Sequence, residues 1–325
     1  MAKIFCLGEA LIDRLLPWGE DAGRDCLGGA PANGACALAR LGSEVGFIGR
    51  LGRDRIGEQF AQLFDQRGVD TAGLQWDGDR PSRVVMVQRD ASGERSFGGF
   101  EGDQGEGFAD EALDAAALPA PLGGAGDWLA VGTIPLAASP SAAALRQAVA
   151  AHRSAGGQVV VDVNWRPTFW GLAVDAAPTE SVRARMGELL GQAQLLKLAA
   201  EEAQALFGSQ DPSVVAAMLP QHPGVVITDG AAGVRWSLGP VVGSMPSYPV
   251  AVVDTTGAGD GFLAGLLHRF CQEPELLDGA SDQRAQAALA FASACGALVC
   301  QGAGAIDPQP KEADVLDFIS SHPAG

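Results

Sequence analysis

From Asp127 onward the sequence repeats one alternation so regularly that few folds can accommodate it. The short apolar runs Trp128–Thr133, Val159–Val163, Leu195–Leu198 and Val225–Thr228 read as buried strands. Between them, Ala142–His152, Glu180–Leu190 and Glu201–Phe207 carry helical spacing. Repeated strand–helix units specify a mostly parallel central sheet covered by helices on both faces, with ligands at the carboxyl ends of the strands. Val234–Leu238 adds a strand expected to pair antiparallel nearby.

The amino-terminal part starts the same way and then departs. Lys3–Leu7 reads as a buried first strand ending at Gly8-Glu9, and Leu11–Leu16 resumes an extended pattern with Asp13 inside it. Gly28-Gly29-Ala30-Pro31-Ala32-Asn33-Gly34 opens a helix that runs through Leu41 and stops at Gly42, the usual placement of proline near a start and glycine past an end. Val45–Ile48 is a strand, Arg50–Asp54 a loop and Ile56–Phe64 a helix. Arg83–Gln88 and Glu94–Phe100 are then β-like and joined by the turn residues Asp90-Ala91-Ser92-Gly93. No helix separates them, so this hairpin lies outside the alternating layer. With Asp13–Leu27 it forms a small β lid. The expectation is one α/β domain over 1–325, with the lid built from insertions at about 13–27 and 81–103.

Near the carboxyl end, Val250–Val253 reads as a strand leading into Asp254-Thr255-Thr256-Gly257-Ala258-Gly259-Asp260-Gly261. Phe262, Leu263, Leu266, Leu267 and Phe270 follow at helical spacing. The glycines therefore sit where a loop becomes a helix. Backbone N–H groups there lack intrahelical partners and the helix dipole is positive, which suits an anion. Two readings of Asp260 fit these residues. It is an ordinary acid of a helix N-terminus, or it is a base that takes a proton from a hydroxyl attacking a phosphate held by the loop. Gly124-Ala125-Gly126-Asp127 spells four of the same letters but runs straight into a strand, so it offers no helix N-terminus.

Other polar groups fall at strand ends on the same edge. Asp162, Asn164 and Arg166 follow one strand, Lys197 and Glu202 another, and Thr228, Asp229, Gly230 and Gly233 a third. Each alone reads equally as capping. Their convergence with Asp260 favours a site.

Composition removes several classes. A formal net charge of −17 argues against nucleic-acid or anionic-membrane partners, which need a basic surface. The six cysteines show no CxxC spacing and read as free thiols of a reducing, cytoplasmic setting. The four histidines are scattered without ligand-like neighbours. Ala285–Cys300 is apolar but short and rich in small residues, so it reads as a buried helix rather than a membrane span. No G-x-x-x-x-G-K-[ST], H-R-D, D-F-G, G-x-G-x-x-G after the first strand, G-x-S-x-G or H-E-x-x-H is present.

Taken together, Gly28–Asn33 and Asp254–Asp260 resemble the two signatures of the ribokinase-like (PfkB) sugar kinases, in order and separation. Gly8-Glu9 with Asp13, Asp162-x-Asn164-x-Arg166 with Trp170, and Thr228–Gly233 extend the resemblance over nearly the whole chain. It implies ATP-dependent phosphorylation of a sugar hydroxyl. Its lean toward the fructokinases implies fructose as acceptor and fructose 6-phosphate as product. Related acceptors within the family are 2-keto-3-deoxygluconate, ribose or a nucleoside, and a binding or scaffold protein without catalysis is the reading from another class.

By the same resemblance, Asp260 is the base, and the backbone of Thr256, Gly257, Ala258 and Gly259, with Arg166, stabilises the transferring phosphoryl group. Asp13, Gly28, Gly29, Asn33, Phe97 and Asn164 hold the sugar. Lys197, Glu202, Thr228, Gly230, Gly233, Ala290 and Ser293 serve the nucleotide. Magnesium bridges the phosphates, and Asp254 with the Thr256 carbonyl matches the K+ positions of potassium-activated members. The exposed strands of the lid suggest a homodimer through it. Two departures stand out: Ala199 lies where members often carry Asn, and Phe97 is followed by Gly98-Gly99-Phe100-Glu101 rather than by an aromatic–Arg pair.

Overall fold

The structure is a computed structural model that describes residues 2–16, 23–89, 95–277 and 281–322. In chain order the first half contains β1 (Lys3–Leu7), β2 (Leu11–Leu16), β3 (Arg24–Gly28), α1 (Ala30–Leu41), β4 (Glu44–Gly52), α2 (Arg55–Arg67), β5 (Asp70–Asp77), β6 (Val84–Arg89) and β7 (Arg95–Glu101). Then come β8 (Trp128–Gly132), α3 (Ser139–Ser154), β9 (Gln158–Asp162), α4 (Glu180–Leu190), β10 (Leu195–Ala199), α5 (Ala200–Phe207), α6 (Pro212–Ala217) and β11 (Gly224–Thr228). The chain closes with β12 (Val234–Leu238), β13 (Val241–Met245), α7 (Ala258–Gln272), α8 (Asp282–Val299) and α9 (Glu312–Ser321).

Nine of these strands form one sheet in the order β13-β12-β11-β10-β9-β8-β1-β4-β5. It is parallel from β5 through β11, and only β12 and β13 run antiparallel. Its strands are apolar on both faces because helices cover both. In β1, Ile4 and Cys6 enter the core shared with α1, α2, α7, α8 and α9, whereas Phe5 and Leu7 enter the core under α3 to α6. All parallel strands end on one edge, which carries Glu9, Thr133, Asp162 and Lys197 together.

A second sheet has the order β3-β2-β6-β7. The turn Asp90–Gly93 lies outside the described residues. Across the outer strands, Arg14 on β2 joins Asp25 on β3 and Glu101 on β7 through contacts of 2.6 Å each. Glu101, which closes the stretch after Phe97 that lacks the aromatic–Arg pair, is thus spent on a surface ion pair within the small sheet.

Two local expectations need correction. Val250–Val253 is not a strand. β13 already closes that edge of the sheet, so the run has no strand beside it. It makes a backbone bond from Val253 N–H to the Cys300 carbonyl at 2.8 Å, and Val252 and Val253 remain exposed. Conversely, Arg50–Gly52 belongs to β4, because the polar edge strand β5, which the apolar pattern does not mark, extends the pairing to Gly52 opposite Asp77. All six cysteines are free. Among the described residues no helix is long and apolar enough to cross a membrane.

Candidate functional site

The glycine loop enters α7 through Gly257, whose φ of 78° lies in the left-handed region. A methyl group there would sit 2.7 Å from the Ala305 Cα, so both backbone conformation and space demand glycine. The loop is held from inside by Asp254, which is buried. Its Oδ1 accepts from the Thr256 N–H at 2.9 Å and the Thr256 hydroxyl at 2.7 Å, and its Oδ2 accepts from Gly304 N–H at 3.2 Å. The small residues of α7 and α8 fix the helix itself. At Gly265 a methyl would lie 2.7 Å from the Cys295 Sγ, and at Gly296 one would lie 2.9 Å from the Ala258 carbonyl oxygen, so glycines let the two helices pack closely.

Asp260 stands in the first turn of α7. Its Oδ2 accepts from the Asn33 side-chain amide at 2.8 Å, which brings the two distant glycine segments into one site. Burial pushes its carboxyl above the ordinary aspartate range and the nearby Asp162 adds to this; Asn33, Lys197 and Arg166 oppose it. Asp260 borders a pocket with Ala30, Pro31, Gly132, Asp162 and Asn164. Asn164 adopts φ of 41°, unusual for a residue with a side chain and a mark of a position that its surroundings over-determine.

The amino-terminal segment is shaped for close approach. Gly29, the N-cap of α1, has φ of 98°, and a methyl there would meet the Glu9 carbonyl oxygen at 2.6 Å. A methyl on Gly28 would lie 2.6 Å from Asp13 Oδ2, so Asp13 lies directly over that glycine. Phe97 packs edge-to-face on Phe100 at 5.0 Å, and Phe100 does the same with Phe169 from the main body, also at 5.0 Å. The small sheet is thereby joined to the site edge by a line of rings.

Beneath the site, Lys197 Nζ lies 3.1 Å from both oxygens of Asp162, with both residues buried. Glu202 is buried too and accepts Trp165 N–H at 2.6 Å and Ala199 N–H at 2.8 Å. One oxygen for each segment means that Glu202 clamps the chain after β9 to the end of β10. Arg166 is exposed, with its guanidinium bonded to the Trp165 carbonyl.

At the end of β11, Thr228 donates to the Leu198 carbonyl at 3.3 Å. Gly230 and Gly233 have φ of 48° and 103°, and a methyl on Gly233 would collide with the Met245 carbonyl oxygen at 2.1 Å. Ala290 and Ser293 are half-buried on α8, which packs along α7.

Two buried charged groups escape sequence reasoning. Glu9 is buried with Oε2 lacking a hydrogen-bond partner, and burial pushes its carboxyl up to about 8, with the Asp110 and Asp260 charges adding to the rise. Arg83 is buried among the rings of Phe108, Phe100 and Phe169 at 4.2, 4.6 and 4.9 Å and is bonded to Asp110 and Glu111. Both sit in segments that read simply as strand or strand end. Only tertiary packing buries them.

A parallel sheet whose carboxyl edge gathers a glycine loop, a carboxylate and an amide-bearing helix start is the ribokinase-like arrangement. The comparisons agree. The family model described as pfkB family carbohydrate kinase matches residues 1–312. A fructokinase of Klebsiella pneumoniae is 37% identical over 96% of this chain and 98% of that protein. The aminoimidazole riboside kinase of Salmonella typhimurium is 33% identical over 99% of this chain and 96% of that protein. A crystal structure of a fructokinase double mutant from Vibrio cholerae, bound to fructose, ADP and potassium ion, superposes with a TM-score of 0.84 at 31% identity, covering 98% of each chain. The chain belongs to the pfkB family of carbohydrate kinases.

Proposed function

We propose that this protein transfers the γ-phosphoryl group of ATP to a sugar hydroxyl, with fructose as the acceptor and fructose 6-phosphate as the product. The observation that carries the reading is the hydrogen bond from Asn33 to Asp260 at the mouth of the glycine loop. It supports the reading by joining the amide at the start of α1 to the carboxylate in the first turn of α7. The similarity to fructokinases, one of them crystallised with fructose and ADP, supports fructose. The riboside kinase relative supports a second acceptor class, ribosides, for the same site.

In this reading Asp13, Gly28, Gly29, Asn33, Phe97 and Asn164 hold the sugar so that one hydroxyl faces Asp260. The Asp260 carboxylate takes the hydroxyl proton as the oxygen attacks the γ-phosphorus. The bond to the bridging oxygen breaks and its electron pair leaves with ADP. The N–H groups of Gly257 and Gly259, assisted by Arg166, meet the charge on the transferring oxygens, where fixed dipoles are most effective; those of Thr256 and Ala258, expected to join them, donate instead to Asp254 and to the Thr255 carbonyl. Thr228, Gly230, Gly233, Ala290 and Ser293 line the nucleotide side, and Glu202 shapes it through the backbone that it clamps.

In this reading magnesium is carried on the nucleotide phosphates. When bound, magnesium supplies charge neutralisation there. The buried Asp254 carboxylate and the Thr256 carbonyl offer hard oxygen ligands of the kind a potassium ion takes. The whole chain acts as one domain, and the small sheet, from insertions at about 13–27 and 81–103, serves as its lid. Its edge strands β3 and β7 are offered to a second copy. Six free thiols suit a cytoplasmic setting.

The deciding experiment measures ADP release from MgATP against a panel of sugars, ribosides and nucleosides. Turnover with fructose above the other acceptors is expected. Turnover confined to ribosides would transfer the assignment to that class, and ATP binding without turnover on any acceptor would remove the kinase reading.

A further inference from the structure

Two cations face Asp260, and they differ in kind. The groups around its carboxylate are Asn33 from α1, Glu9 beyond β1, Asp162 at the end of β9, Arg166 beyond it, and Lys197 on β10. Arg166 is exposed, so solvent and salt screen its field. Lys197 is buried and pinned by both oxygens of Asp162 at 3.1 Å, so its field is not screened. Its ammonium also lies against the first turn of α7, where a methyl added at Gly259 would be 3.1 Å from Nζ. A cation at the positive end of a helix is unfavourable unless anions compensate it. Asp162 does so directly, and Asp260 and Glu202 add to it through space.

We propose that Lys197 is a positioning residue for phosphoryl transfer: pinned beneath the Gly259 turn, its ammonium joins the Asn33 amide in favouring the ionised Asp260 and offsets the opposing Asp162 charge, without touching the nucleotide. The proposal rests on the reading of Asp260 as base and adds how that base is kept ready in a buried site. Asp162 is the counterweight. It holds Lys197 in place and, as a like charge, opposes ionisation of Asp260. Gly259 is the spacer, since any side chain there would press on the ammonium.

The test follows the Asp260 carboxyl carbon by NMR titration of protein labelled with carbon-13 aspartate, its signal assigned by disappearance in Asp260→Asn. In Lys197→Met the titration midpoint should move up by about one pH unit or more. In Asp162→Asn it should move down, and in Lys197→Arg it should stay near that of the wild type. ATP affinity by calorimetry should change less than about threefold in Lys197→Met. A midpoint unmoved in Lys197→Met, with the variant folded by circular dichroism, would overturn the proposal. So would a loss of ATP affinity beyond about tenfold without a shift, which would make Lys197 a nucleotide ligand. Should Lys197→Met fail to fold, Lys197→Gln takes its place in the same titration, with the same upward shift expected. Because the titration needs no turnover, failure of the kinase reading would show separately, as absent sugar-dependent ADP release in the wild type.

Discussion

The Asn33 side-chain amide donates to Asp260 Oδ2 at 2.8 Å across 227 positions of sequence. This contact joins the start of α1 to the start of α7. It also opposes the rise that burial imposes on the Asp260 carboxyl.

Asp260→Asn keeps the shape and can still pair with Asn33, but it cannot take a proton. Turnover should fall about 10²–10⁴-fold, with nucleotide binding and the circular dichroism spectrum retained. In the wild type the reactive form is ionised, so kcat/KM should fall as pH drops through the Asp260 pKa. Burial sets that limb above the ordinary carboxylate range. Near-normal turnover of the Asn variant would exclude the base role.

Glu9 should govern part of the stability profile. Its folded pKa is raised from 4.5 to about 8, so between these values the folded state holds a proton that the unfolded state has lost. Its contribution is fully present below about 4.5 and is lost as pH rises toward 8. Glu9→Gln removes this dependence. Urea titrations at pH 5 and pH 8.5 should show the variant gaining on the wild type by several kcal/mol, on the order of 4, at the higher pH. Equal differences at the two pH values would refute it.

Arg83→Met should destabilise the protein by about 3–5 kcal/mol. The Arg83 guanidinium sits 2.8 and 2.9 Å from the oxygens of Asp110, and removing it leaves that carboxylate buried without its cation. Arg83→Lys should rescue little, because a lysine offers neither the bidentate fork nor the flat face that the three rings stack on. Chemical denaturation measures both.

Gly257→Ala combines a left-handed φ with a methyl 2.7 Å from the Ala305 Cα. A loss of about 1–3 kcal/mol is expected from the backbone conformation alone, together with loss of turnover as the loop is displaced. A variant with wild-type melting and activity would show that the loop tolerates another shape.

The small sheet should mediate a dimer through β3 or β7, since an unpaired strand edge attracts a partner. Light scattering should give twice the chain mass at micromolar concentration. A monomeric mass over the whole concentration range would remove this interface.

Much of this was readable from the chain. The strand–helix alternation after Asp127 required a parallel sheet, because apolar runs separated by amphipathic helices have few other ways to bury both faces. The same rule placed Asp162, Lys197 and Thr228 on the edge where Asp260 lies. Glycines in Gly28–Gly29 and Gly257–Gly259 announced close approach, and positive φ at Gly29 and Gly257 agrees with this. What the chain could not reveal was which partners these groups take. β5 is too polar to announce itself, and Val250–Val253 is apolar enough to suggest a strand yet has no sheet edge to join. The burial of Glu9, the clamping of Arg83 between rings and carboxylates, and the seat of Lys197 under Gly259 all depend on distant segments meeting. Local pattern follows from each residue's own propensity and is written in order along the chain. Charge environment follows from what is desolvated and what lies within a few ångströms, and only the tertiary structure decides that.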